Sequence, residues 1–186
     1  MRLFVALEIP SEIRENLAAL IREMRAIAAK EKWVRAENLH ITLKFIGEVA
    51  PEKANPIRQA LALVHSDSPV RLDFRGLGFF PDEKHPRVFW AGMEASPNLQ
   101  KLAADIEMAT EKLGVPGEQR PFSPHLTLAR LETRKLPPNL QAAVHENMAR
   151  EFGAFETGQF HLIESKLKPS GAEYTTLQSF PFVAEA

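Results

Sequence analysis

The chain contains no cysteine. That absence removes disulfide frameworks, thiolate zinc sites, iron–sulfur clusters and cysteine nucleophiles together, and it leaves the redox compartment unmarked. Charge of one sign is also lacking: 23 Lys and Arg stand against 24 Asp and Glu, for a formal net charge of −1. A protein that coats long nucleic acid by neutralising phosphates needs an excess of cations, so any RNA or DNA contact here is expected to be local. No apolar run approaches the roughly 20 residues of a membrane-spanning helix. The opening MRLFVALEIP is interrupted by Glu8 and shows no small-residue cleavage pattern, so it reads as a buried strand. A cytoplasmic protein with no membrane partner is expected. No Gly/Ser linker, low-complexity tract or run of like charge marks a boundary along the chain.

What is present suffices for a real core. The 186 residues are 45% hydrophobic and 25% charged, close to the globular norm, and the length suits one domain of two intimately packed lobes spanning residues 1–186. Ile13, Leu17, Leu20, Ile21, Met24 and Ile27 recur at helical spacing after Pro10 and Ser11. A short extended piece at Trp33–Arg35 precedes a strand at Leu39–Ile46. There, alternation puts Leu39, Ile41, Leu43 and Phe45 on one face and His40, Thr42 and Lys44 on the other. Pro51 and Glu52 open a second helix with Ile57, Leu61 and Val64, and strands follow from Pro69 and at Arg87–Met93. The second half repeats the mixture. A helix from Leu99 to Leu113 is closed by Gly114 and Pro116, a strand spans Phe122–Arg130, and a fourth helix runs through Leu140, Val144 and Met148. Extended stretches at Phe155–Lys168 and Glu173–Phe182 flank the turn Pro169-Ser170-Gly171. The order lacks the regular alternation of a doubly wound sheet, which makes the class α+β.

One signal is repeated. HITL occupies 40–43 and HLTL occupies 125–128, separated by 85 residues, and both lie in expected strands. With 6 His and 7 Thr, random placement yields about 0.2 His-x-Thr pairs, and two arise in only about 2% of shuffles. A lone pair of this kind is ordinarily a polar patch on a half-exposed strand; its repetition at nearly half the chain length points to a duplicated βαβ-type half, each supplying one such strand to a shared groove. Period-two geometry projects His and Thr from the same face. Imidazole gives or takes a proton near neutral pH, and threonine hydroxyls donate to the oxygens of an anion. Two histidines across a cleft thus suit in-line attack at phosphorus.

On these motifs the chain resembles the two-histidine phosphoesterase superfamily. The longer stretches RLFVALEIP (2–10), WVRAENLHITLKFIGEV (33–49), PRVFWAG (86–92), FSPHLTLAR (122–130) and ESKLKPSGAEYTTL (164–177) make it similar to the LigT-like RNA 2′,3′-cyclic phosphodiesterases, formerly called 2′-5′ RNA ligases. The resemblance implies a bilobal, pseudo-symmetric α+β fold, with two antiparallel sheets lining a central groove and helices outside. It implies hydrolysis of RNA 2′,3′-cyclic phosphate ends, tRNA fragments among them, to 2′-phosphomonoesters, with ATP-independent 2′-5′ joining as the reverse reaction. His40 would be the proton donor to the departing 3′ oxygen and His125 the proton acceptor from water. Thr42 and Thr127 would bind phosphate oxygens, and Arg130 would assist there. A monomer is expected.

Some residues read two ways. Strict alternation puts Arg130 with Leu126 and Leu128, away from His125, unless the strand bulges. Phe45 sits on the expected core face, where packing competes with stacking on a terminal base. Tyr174 lies in the resembling C-terminal stretch but is not counted in the site. His65, His85, His145 and His161 show no metal-ligand spacing, and Gly76-Leu77-Gly78 lacks the rest of a nucleotide-loop pattern and reads as a bend or bulge. Neither metal nor cofactor is expected. Two other readings remain open: a phosphodiesterase of small cyclic nucleotides or ADP-ribose cyclic phosphate, and a binding module that performs no turnover.

Overall fold

The computed structural model describes residues 1–183. Among them are nine strands and four α-helices, in the order β1 (Arg2–Glu8), α1 (Ser11–Ile27), β2 (Lys32–Trp33), β3 (His40–Glu48), α2 (Ala54–Leu61), β4 (Val70–Phe80), β5 (Val88–Ala95), α3 (Asn98–Glu111), β6 (His125–Arg130), α4 (Pro138–Glu146), β7 (Glu151–Thr157), β8 (Gln159–Lys168) and β9 (Gly171–Pro181). The strands form two sheets, ordered β3-β1-β8-β9 and β2-β6-β5-β4-β7, with antiparallel pairing throughout. The α+β class and the two antiparallel sheets expected from the chain are therefore present.

The halves of the chain do not correspond to the sheets. β1 lies between β3 and β8, and β5 lies between β6 and β4. Strands β2, β4 and β5 of the first half lie in one sheet with β6 and β7 of the second, and β8 and β9 of the second half lie in the other sheet with β1 and β3. This sharing of strands stitches the lobes together. It also explains why Phe155–Lys168, expected as one extended stretch, is two strands: β7 ends at Thr157 in the five-stranded sheet, and the chain passes Gly158 into β8 of the other. A run of extended residues carries no mark of a change of partner.

Periodicity accounts for the helices. In α1 the buried residues Ile13, Leu17, Leu20, Ile21 and Met24 make one stripe, the Arg14 N–H donates to the Pro10 carbonyl at 3.0 Å, and Asn16 Nδ2 donates to the Phe152 carbonyl on β7 at 2.9 Å. Local bounds differ from expectation at several places. Only Lys32–Trp33 pairs as β2, Val64 and Met148 lie beyond the ends of α2 and α4, and the second motif strand begins at His125 rather than Phe122. Gly76 has φ +80 and sits at a register shift of β4, as a bulge requires. One apolar cluster joins residues from both sheets, including Val5, Leu7, Leu17, Phe74, Leu126, Leu128 and Phe152. A smaller one, Phe4, Ala6 and Ile163 with Tyr174, occupies the opposite face of the four-stranded sheet.

Candidate active site

Each motif histidine is the first residue of its strand, and β3 and β6 approach to within 8 Å between Cα atoms although they belong to different sheets. His40, Thr42, His125 and Thr127 line one cavity of about 560 Å³. The sequence pattern predicts this convergence. A cyclic phosphate alone needs far less room, and the volume falls within the range of small-molecule sites.

The two imidazoles are held in the same manner. His40 Nδ1 lies 2.9 Å from the Asn38 carbonyl, and His125 Nδ1 lies 2.8 Å from the Ser123 carbonyl, in each case two residues upstream. A carbonyl only accepts, so each Nδ1 carries the proton and each neutral ring leaves Nε2 as the lone-pair nitrogen. The edge of His40 packs against Phe4 and Tyr174, with centroids at 6.2 and 5.5 Å, and His125 packs edge-on to Phe80 at 5.2 Å. Among the described residues, neither the Thr42 nor the Thr127 hydroxyl has a hydrogen-bond partner.

Burial pushes the His40 imidazole below its ordinary value of 6.5; the Arg14 guanidinium and His161 add to this, while the hydrogen bond to Asn38 and the Glu8 carboxylate oppose it. Glu8 is directly opposite His40 in the β1–β3 register. His161, buried on β8, approaches Glu8 with Nε2 at 3.9 Å and meets Ser179 Oγ through Nδ1 at 2.9 Å. Desolvation pushes His161 down as well.

Beyond each threonine the alternation breaks at the same place. Strand β1 pairs Val5 with Lys44 but Ala6 with Thr42, so Leu43 is the extra residue; β5 pairs Phe89 with Ala129 but Trp90 with Thr127, so Leu128 is the extra residue. These bulges reverse the faces that follow. Lys44 and Ala129 turn inward and are buried, while Phe45 and Arg130, each five residues after its histidine, line the cavity. Two expectations are corrected here. Phe45 is not on the core face but is 55% exposed toward the cavity, and Lys44 does not share the open face of His40. Arg130 follows the bulged alternative and stands on the His125 side. Tyr174, not counted in the site on sequence grounds, is also in the wall. A comparison of HITLKF with HLTLAR carries a usable signal, because alanine at the position of Lys44 shows that this position faces inward.

Buried Lys44 makes two hydrogen bonds, one of them to a carboxylate. Its Nζ donates to Glu107 Oε1 on α3 at 2.8 Å and to the Pro116 carbonyl at 2.7 Å, and the same Glu107 oxygen accepts the Glu118 N–H at 2.6 Å. The first motif strand is thereby tied to the segment that leads into the second motif. Elsewhere, His145 pairs with Glu83 at 2.7 Å and His85 with Asp82 at 3.3 Å. Among the described residues no three His, Asp or Glu side chains gather as a metal would require, and no helix is long and apolar enough to cross a membrane.

Comparison with known proteins agrees with this geometry. An RNA 2′,3′-cyclic phosphodiesterase of Archaeoglobus fulgidus is 36% identical over 180 residues, covering 97% of this chain and 99% of that protein. One of the same name from Thermus thermophilus is 36% identical over 197 residues, covering 100% and 92%. A crystal structure of a Thermus thermophilus protein superposes with TM-score 0.74 at 35% identity over 98% of both chains. E. coli LigT complexed with 3′-AMP superposes with TM-score 0.75 at 29% identity, again over 98% of both. The family described as LigT like Phosphoesterase matches residues 7–90 and 93–174, and the chain belongs to that family.

Proposed function

We propose that the protein hydrolyses the 2′,3′-cyclic phosphate at an RNA end to a 2′-phosphomonoester, by acid–base catalysis between His40 and His125 and without a metal. The observation that carries this reading is the single cavity into which two equivalently held imidazoles open, each beside a threonine hydroxyl with no partner among the described residues. The name of the A. fulgidus and T. thermophilus relatives and the 3′-AMP complex of LigT support the substrate class.

In-line displacement places the attacking and departing oxygens on opposite sides of phosphorus. Neutral His125 takes a proton from water through Nε2 as the water oxygen bonds to phosphorus. The P–O3′ bond breaks, and protonated His40 gives its Nε2 proton to O3′. The product keeps the P–O2′ bond, and the two rings, left neutral at His40 and protonated at His125, reset by exchange with solvent. Thr42 and Thr127 donate to the non-bridging oxygens, and Arg130 offers a two-pronged cation to the same group. With an RNA 5′-hydroxyl in place of water, the same transfers make a 2′-5′ linkage without ATP, since the strained cyclic ester is already activated; water in excess favours hydrolysis. Every group in this scheme comes from one chain, so a monomer suffices.

Replacing either His40 or His125 with Ala is expected to lower kcat by about 10²- to 10⁴-fold, with the fold retained by circular dichroism. Full activity in either folded variant would contradict the assignment.

A further inference from the structure

The catalytic groups occupy only part of the cavity. Beyond them the wall is made by one face of α3, carrying Gln100, Ala103, Ala104 and Glu107, by the 118–123 segment, and by Phe45. Phe45 offers a largely exposed aromatic ring. Ala103 and Ala104 leave open space that larger side chains would fill. The polar atoms are not neutral to what enters. Gln100 Nε2 is committed to the Phe122 carbonyl at 3.0 Å, which leaves its Oε1 as an acceptor. Glu107 Oε1 is committed to Lys44 and to the Glu118 N–H, and among the described residues no donor reaches Oε2. The charge of that carboxylate is balanced by buried Lys44, so the chamber presents acceptors without strong repulsion of a nearby phosphate. Arg120, exposed on the same segment, is the cation of this wall.

Given the reading above, on which this inference rests, the base on the ribose bearing the cyclic phosphate lies within one sugar's width of the reacting phosphorus. We propose that this chamber receives that terminal base, stacked on Phe45, and selects bases with an exocyclic amino group through the free acceptors of Glu107 and Gln100. Unstacked RNA bases are recognised in this way, by an aromatic face and by hydrogen bonds to their edges. Cytosine and adenine present an amino group; uracil and hypoxanthine present a carbonyl oxygen there, which would face the Glu107 carboxylate and leave it unpaired.

The test uses short oligonucleotides that end in a 2′,3′-cyclic phosphate and differ only in the terminal base, C against U and A against inosine. The wild-type protein is expected to favour the amino-bearing member of each pair by about tenfold in kcat/KM, as one buried hydrogen bond implies. Glu107→Gln keeps an oxygen for Lys44 and Glu118 but turns the free acceptor into a donor, so it should invert the C-over-U ratio, which a merely structural role of Glu107 would leave in place. Should that variant not fold, Gln100→Leu is expected to reduce the ratio. Equal turnover of all four ends by the wild-type protein would overturn the base chamber while leaving the proposed reaction intact, whereas turnover of none would overturn the reaction and this assignment with it.

Discussion

His40 and His125 start from the same tautomer but not from the same surroundings, and the difference is measurable. Burial, Arg14 and His161 hold the His40 imidazole below 6.5, so its proton is held less tightly than on an ordinary imidazole and the protonated ring is a stronger acid for it. With His40 as the proposed general acid, the free enzyme, on which kcat/KM reports, must carry that proton, and the competent fraction falls as pH rises through the lowered value. The alkaline limb of kcat/KM should accordingly begin below pH 6.5. In the complex the anionic phosphate opposes that shift, and kcat should persist to higher pH. Rates on a cyclic-phosphate-terminated oligonucleotide between pH 5 and 9 check both limbs; a kcat/KM flat from pH 6 to 8 would contradict the role of His40. The four residues of the paired motif are legible in the sequence because period-two alternation sets His and Thr on one face. Phe45, Lys44 and Arg130 are not legible by that rule, since one inserted residue per strand reverses every side chain after it. Tyr174 reaches the wall only because β9 adds to β8, two strands away from β1.

The matching bulges in β3 and β6 turn a repeated pattern into an asymmetric site, with an aromatic ring on one strand and a guanidinium at the equivalent position of the other. The cost falls on Lys44, a cation made inward-facing and fully buried. Its pairing with Glu107 makes α3 part of the catalytic frame. Glu107→Ala would leave that cation without its carboxylate and is expected to cost about 3–5 kcal/mol of stability, as loss of one partner from a buried pair does. The combination Lys44→Met with Glu107→Ala removes both charges and should recover most of the loss. Urea unfolding of the two variants distinguishes them; equal destabilisation would show that the ion pair is not what holds this contact. Helix α1 is readable from spacing alone because all five of its buried residues fall on one stripe. The β7–β8 junction is not, because both strands are extended and only the identity of their neighbours changes.

Across the whole molecule, each sheet draws strands from both halves of the chain, β2, β4 and β5 joining β6 and β7, and β8 and β9 joining β1 and β3, so neither half can form a complete sheet alone. The cavity lies where the two motif strands approach from different sheets, so its geometry depends on the packing of both lobes. Duplication of the motif can be read from the sequence, and the shared groove follows from it; the sharing of strands cannot, since it depends on which edges pair at long range rather than on any local pattern. The proposed chemistry has a regiochemical signature, because in that scheme the proton from His40 goes to one oxygen of the cyclic ester and not the other. The most direct measurement is to incubate the protein with an oligonucleotide ending in a 2′,3′-cyclic phosphate, in the presence of a chelator, and to locate the phosphate in the product. The account predicts complete conversion to the 2′-phosphate with no metal added; a 3′-phosphate product, or activity abolished by the chelator, would contradict it.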